Sequence, residues 1–340
     1  MSTMADVARR AGVSTATVSH VLNRTRRVSP RTRDAVLAAV ADLGYTPNTV
    51  ARSLATARTT TIGLVLSAIS NPYFGELLAA AEHTAAAAGY TLLLADPHED
   101  PEYEATLVAR LHDHRVEGIV LAPSAKPDEA LRYLRRHSVP TVLLDRLIDP
   151  DLDQVGSENR ISTATITAHL IDHGHTRIAL VGGLDGLATS AERHDGYLDA
   201  HRAKGLAVDR ALIVSGESAT EPAREATTRL LAGDPPTAIV AGNNSMTIGV
   251  VAALRDAGLR VPTDVAVAGF DDFPWADLFS PRLTVMAQPF TRIAAEAVRM
   301  VLRRREEPAA PPTTLRLPPR FVVRDSCGCV DGRPPAATTL

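Results

Sequence analysis

A chain of 340 residues is long enough for two or three folding units and a large core. Its charge is split: residues 1–59 hold nine Arg, no Lys and three acids (Asp6, Asp34, Asp42), a net +6, while the remainder carries 27 basic and 36 acidic groups, a net −9. A basic head on an acidic body suits a protein whose head alone touches a polyanion. No apolar run approaches the roughly 18 residues of a membrane span, and none follows a basic start, which argues against insertion or export and for the cytoplasm. Only Cys327 and Cys329 occur; two residues apart, they are badly spaced for a structural disulfide and too few for a zinc site, so a reducing compartment and no bound metal or other cofactor are expected.

Three short helices are predicted at the start, bounded by capping and breaking residues. The first runs from about Met4 to Ala11 and stops at Gly12; Ser14 caps a second from Thr15 to about Asn23; Ser29 and Pro30 open a third that ends near Gly44. Ala8, Val18, Val21, Val36 and Val40 supply the small core of this unit, residues 1–46. Residues 47–59 form a linker whose PNTVARSLATA segment is too short to be a stable helix alone.

From Thr61 the pattern changes to apolar runs, TIGLVLS, TLLLAD, GIVLAP, TVLLD, IALVGG, ALIVSG, TAIVAG, VAVAGFD and LTVMAQ, alternating with helical stretches. Near-continuous apolar strands separated by helices predict an α/β unit with buried parallel sheets. Nine strands exceed one comfortable sheet, so residues 60–327 are expected to form two doubly wound lobes, about 60–159 with 289–318, and about 161–287 with 319–327. A mobile tail is expected over 328–340, and the proline-rich PAAPP at 308–312 is a further irregular stretch.

Ala8, Gly12 and Val18 have the spacing of a helix-turn-helix: a small residue at the crossing, a glycine for the turn and a β-branched core residue. With the segment STATVSHVLNRT, this unit and most of the remaining chain resemble the LacI/GalR family of transcriptional regulators, nearest its purine and ribose repressor branch. The resemblance implies that the second helix enters the major groove of operator DNA, with Thr15, Ala16 and His20 against base edges and Ser14, Thr17, Asn23 and Arg26 on phosphates. It also implies that the linker forms a hinge helix in the minor groove, where Leu54 wedges into the central base step and Ala51 and Arg52 line the groove.

In doubly wound sheets ligands bind beyond the carboxyl ends of strands. Polar residues stand there: Asn71 with Tyr73 and Phe74, then Asp145 and Arg146, Arg193, Asn243, Asp271 and Gln288. Amides, carboxylates and guanidinium groups around an aromatic ring suit hydroxyl groups, which need donors and acceptors at fixed angles. The resemblance adds Asn159 and, through NPYF, LDR, RHDGY, GFDD and AQP, implies a periplasmic-binding-protein-like sensor for a sugar. Trp275 is placed either on the ligand or in packing at the rim. Asn244 departs from the aspartate that is commoner in relatives.

No GxGxxG opens a helix after the first strand, and neither GxxxxGK[ST] nor GxSxG occurs, so dinucleotide, triphosphate and serine-hydrolase chemistry are unsupported and no enzyme is expected. The DHGH of Asp172–His175 reads as a helix end at which histidine favours the last carbonyls. A small head that binds DNA weakly alone calls for a homodimer on a pseudo-palindromic operator, and the absence of leucine heptads after Arg320 disfavours a tetramer. The expectation is a repressor released by a small sugar. Alternatives are a regulator answering a nucleobase, nucleoside or partner protein and, in another class, a solute-binding protein.

Overall fold

A computed structural model describes residues 2–23, 26–45, 59–67, 71 and 74–329. The chain divides into two compact units, residues 1–59 and 60–340.

Among its described residues the first unit holds three helices, α1 (Met4–Ala11), α2 (Thr15–Asn23) and α3 (Pro30–Asp42). Local chemistry sets their ends. Thr3 and Asp6 form a reciprocal capping box on α1, and Ser29 Oγ accepts the Thr32 N–H of α3 at 3.2 Å. Gly12 ends α1 at φ +66°, a left-handed conformation that glycine adopts without steric cost, and Val13 then donates to the Ala8 carbonyl at 3.0 Å. Val7, Ala8, Val18, Val36, Ala39 and Tyr45 are buried, with Val21 and Val40 half-buried around them. Val7 and Tyr45 thus join the core read from the sequence, and Val21 and Val40 move to its margin.

The second unit contains two six-stranded sheets. The first comprises β1 (Thr61–Val65), β2 (Thr91–Ala95), β3 (Ile119–Leu121), β4 (Thr141–Leu144), β5 (Asp153–Ser157) and β11 (Thr314–Leu317), in the order β11-β5-β4-β3-β1-β2 and entirely parallel. The second comprises β6 (Ile178–Gly182), β7 (Ile213–Ser215), β8 (Ala238–Ala241), β9 (Ala266–Phe270), β10 (Thr284–Ala287) and β12 (Arg320–Val322), in the order β12-β10-β9-β8-β6-β7. Only β12 runs antiparallel there. Both sheets reverse strand order after their first strand, which creates the crevice where doubly wound folds bind ligands.

Helices α4 (Gly75–Ala87), α5 (Pro101–Asp113) and α6 (Asp128–Arg136) belong to the first lobe. Helices α7 (Arg160–Asp172), α8 (Ala188–Ala203), α9 (Thr220–Leu231) and α10 (Asn244–Asp256) belong to the second. Helix α11 (Phe290–Glu306) returns to the first lobe, where Ile293, Ala294, Ala297, Val298 and Val301 pack with Leu77, Ala81 and Ala85 of α4. Gly196 lies so close to the Arg160 carbonyl that a Cβ would collide with it. The missing side chain lets α8 approach α7 and aims Arg193, one turn earlier on α8, at the crevice.

Among the described residues twelve strands replace the nine expected. Strand β5 was hidden because Asp153, Gln154 and Ser157 make it polar, yet all are buried. Its Asp153 receives Arg303 Nη2 at 3.0 Å, Arg304 Nε at 2.8 Å and the Thr313 N–H at 2.8 Å, all from sequence-distant residues. The chain end is also corrected: packing continues past 327, and Cys329 is buried among core residues of the second lobe. Among the described residues no helix is long and apolar enough to cross a membrane.

Candidate DNA-reading helix and effector cleft

Helix α2 is built to present its first turn. Ser14 Oγ accepts the Thr17 N–H at 3.1 Å and shares a hydrogen bond of 2.9 Å with Thr17 Oγ1. Thr15 and Ala16 are exposed, His20 is half-buried one turn later, and Arg26 is exposed beyond the helix. A helix start with outward N–H groups and small polar side chains is shaped to approach a phosphate backbone.

In the second unit, a cleft of about 440 Å³ lies between the lobes, lined from the carboxyl ends of their strands. Asp145 follows β4 and Asp271 follows β9, with φ +67° and +78°. Aspartate tolerates this left-handed backbone better than most residues. In each case the backbone N–H donates to the neighbouring strand at 2.9 Å, to Val155 and to Met286, so the turn that brings each carboxylate to the cleft is locked by the sheet.

Three polar groups, Arg146, Arg193 and Gln288, surround these acids. Desolvation raises the pKa of Asp145, against the pull of Arg146 and Arg193. Arg146 donates to both Glu99 carboxylate oxygens at 2.9 and 2.5 Å, and to the Pro123 carbonyl at 2.7 Å. Desolvation opposes its charge, but Glu99 and Asp145 outweigh it and hold the guanidinium above its ordinary pKa. Arg193 donates to Asn159 Oδ1 at 2.9 Å and to the Gly242 carbonyl at 2.5 Å, with its guanidinium 3.9 Å above the Phe270 ring. Gln288 Nε2 donates to Asp271 Oδ1 at 2.6 Å.

Among the described residues two buried atoms of the cleft have no hydrogen-bond partner, Gln288 Oε1, an acceptor, and Arg146 Nε, a donor. Apolar walls come from Phe74 and Phe290, edge to face at 6.0 Å, and from Trp275, which packs on Phe273 at 5.5 Å. The lobes are joined across the cleft by a reciprocal amide pair. Asn71 Nδ2 donates to Asn244 Oδ1 at 3.1 Å, and Asn244 Nδ2 to Asn71 Oδ1 at 2.9 Å.

Residues 3–48 match bacterial regulatory proteins of the lacI family, and residues 167–327 match the periplasmic binding protein-like domain. The HTH-type transcriptional repressor PurR of Erwinia tasmaniensis is 36% identical over 330 residues, covering 96% of this chain and 97% of that protein. PurR of Photobacterium profundum is 36% identical over 329 residues, covering 96% and 98%. The chain belongs to the LacI family. It is a DNA-binding transcriptional repressor of that kind, with the helix-turn-helix head and two-lobed sensor of the solved LacI-family structures. A lac repressor dimer bound to operator and the anti-inducer ONPF superposes with a TM-score of 0.87 at 28% identity, covering 96% of this chain and 99% of that one. The regulator CelR in complex with cellobiose gives 0.74 at 30% identity, covering 96% and 100%.

Of the cleft residues expected from sequence, Asn71, Phe74, Asp145, Arg146, Arg193, Asn243, Asp271, Trp275 and Gln288 line the cavity of this LacI-family sensor. Asn159 does not. It is buried and holds Arg193 from behind, while its Nδ2 donates to Glu192 at 3.0 Å. Asn243 is engaged as the N-cap of α10, its Oδ1 accepting from Met246 N at 2.7 Å and its Nδ2 donating to the Ser218 carbonyl at 3.1 Å. Glu99 was missed. It follows β2, so the same carboxyl-end rule applied to the TLLLAD strand finds it. Tyr73, Ala51, Arg52 and Leu54, the side chain of Asn23 and the hinge stretch up to residue 58 lie outside the described residues.

Proposed function

We propose that the cleft binds a small polyhydroxylated molecule of the sugar class and that binding lowers the affinity of a homodimer for its operator. The carrying observation is the opposed pair of strand-end aspartates with Arg146, Arg193 and Gln288 between them. A hydroxyl both donates and accepts, so it can donate to Asp145, Asp271 or the unpaired Gln288 Oε1 while accepting from a guanidinium. Phe74 and the rim indole of Trp275 offer surfaces to the apolar face of a sugar ring. Cellobiose in the CelR complex supports the same class. In this reading Thr15, Ala16 and His20 face base edges, and Ser14, Thr17, Asn23 and Arg26 contact phosphates. The repressor works in the cytoplasm and carries no catalytic step.

A second reading, a nucleobase or nucleoside effector, is favoured by the PurR relatives. Calorimetric titration with pentoses, hexoses, disaccharides, nucleosides and purine bases separates the two, with Trp275 fluorescence as a second signal. Saturable binding of one sugar, weakened at least about tenfold by Asp271→Asn and accompanied by operator release, is the expected result. Purine binding alone, or a sugar affinity indifferent to Asp271→Asn, sinks the sugar reading.

A further inference from the structure

Beneath the second lobe, away from the cleft, the two cysteines meet two histidines that the linear sequence keeps about 160 residues away. His169 and His173 stand one turn apart near the C-terminal end of α7, and Cys327 and Cys329 follow β12. His169 Nε2 lies 3.3 Å from Cys327 Sγ and 3.7 Å from Cys329 Sγ, and His173 Nε2 lies 3.2 Å from Cys329 Sγ. The ligating atoms of His169, Cys327 and Cys329 all fall within 4.8 Å of one another.

We infer that His169, Cys327 and Cys329 form the preformed part of a site for a divalent, thiolate-preferring ion of the zinc type, which His173, 3.2 Å from Cys329 Sγ, completes as a fourth ligand after a small side-chain movement. With bond lengths of about 2.3 Å to sulfur and about 2.05 Å to nitrogen, a tetrahedral centre separates N from S by about 3.6 Å. The three observed N to S distances, 3.2, 3.3 and 3.7 Å, bracket that value. Counting cysteines alone made the ligand set too small; the fold completes it.

The surroundings are those of a built site. His173 Nδ1 sits 2.6 Å from the His169 carbonyl, which can only accept, so Nδ1 carries the proton and the Nε2 lone pair faces Cys329. Thr284 Oγ1 accepts the Arg324 N–H at 2.9 Å, which turns its own proton toward Cys327 Sγ at 3.1 Å and orients that sulfur. Both cysteines and Thr284 are buried. Two thiolates, two neutral imidazoles and a divalent cation sum to zero charge, the form a buried site tolerates. Binding displaces the two thiol protons to solvent and ties α7 to the strand that closes the second sheet.

The test uses the full chain, purified under reducing, anaerobic conditions. It should take one cobalt(II) per chain with the thiolate-to-cobalt charge-transfer absorption and strong visible bands of a tetrahedral site. Zinc(II) should displace the cobalt and raise Tm. Cys327→Ser and Cys329→Ser should abolish the charge-transfer band, and His169→Ala should weaken binding. Thr284→Val, which keeps all four ligands, should lower affinity about 10–100-fold. His175→Ala, on the neighbouring loop, should change nothing. A weak, octahedral cobalt spectrum indifferent to the cysteine variants would overturn the site. So would a native chain whose mass is lower by two hydrogens and that lacks free thiols, since that is a disulfide.

Discussion

Asp145 shows how a functional residue is held against its own preference. Desolvation in the cleft is the largest influence on it and raises its pKa despite Arg146 and Arg193. A carboxylate whose folded pKa is raised contributes stability that is present below its ordinary pKa and is lost as pH rises through the folded value. At neutral pH Asp145 is therefore a net cost to the fold. Asn keeps its size and tolerates φ +67°. Asp145→Asn should therefore melt at the same or a higher temperature than wild type at pH 7, with the difference shrinking as pH falls into the carboxylate range. Effector affinity should fall about tenfold or more. Melting curves across a pH series check the first part, and a variant clearly less stable at pH 7 refutes it. Asn244 carries a second residue-scale consequence. Its departure from aspartate was visible in the sequence, but its partner Asn71, 173 residues away, was not. Asn244→Asp can keep only one of the two amide bonds across the cleft and adds a negative charge whose backbone N–H is 3.4 Å from Asp271 Oδ2. Losing one bond of about 1 kcal/mol predicts roughly fivefold weaker effector binding, with effector-free operator affinity within about twofold of wild type. Equal effector affinity by calorimetry would show that the amide pair plays no part in binding.

Elements differ in how much of their cause lies within themselves. Helices α1 and α2 were legible almost to the residue because Thr3, Gly12 and Ser14 end or start them through bonds spanning a few positions. Strands β1 to β4 and β6 to β10 were legible as apolar runs, and most of the cleft followed because it is made of what stands next after those strands. Strand β5 was not, since DQVGS becomes a buried strand only once α11 delivers Arg303 and Arg304 to Asp153 and β11 delivers Thr314 to Gln154. No local pattern encodes such a partnership. His169, near the cysteines, was overlooked for the same reason, and His173 was read only as a helix-end residue. The dependence of β5 on α11 makes a prediction. Asp153→Ala leaves the Nε of Arg304, largely buried, and the Thr313 N–H without their acceptor. Removing one partner of a buried ion pair costs about 3–5 kcal/mol. The sensor's transition should shift down by several degrees in calorimetry, and a shift below one degree would mean that β5 is held by its ladder alone.

At the scale of the whole molecule the charge split and the division into two units assign the two ligands to different physics. The +6 head meets a polyanion whose condensed counterions are released on binding, so operator affinity should fall with a log-log salt slope of about −0.9 per neutralised phosphate. Two heads making roughly 6–10 such contacts predict a loss of about 10³–10⁵ between 50 and 200 mM salt. The −9 body meets its effector in a cleft whose acids already face Arg146, Arg193 and Gln288, and an uncharged sugar releases no ions there. Its affinity should stay within about twofold across the same range. Arg26, exposed beyond α2, is the proposed phosphate contact whose removal separates the two effects. Arg26→Ala should weaken binding to every DNA sequence alike and make the slope shallower by about one per head, with effector affinity untouched. Fluorescence anisotropy of a labelled operator over a salt series, repeated with and without effector, measures all three quantities. An unchanged slope in Arg26→Ala would move the phosphate contact to another arginine of the head, whereas a salt-dependent effector affinity would mean that the ligand is itself an anion.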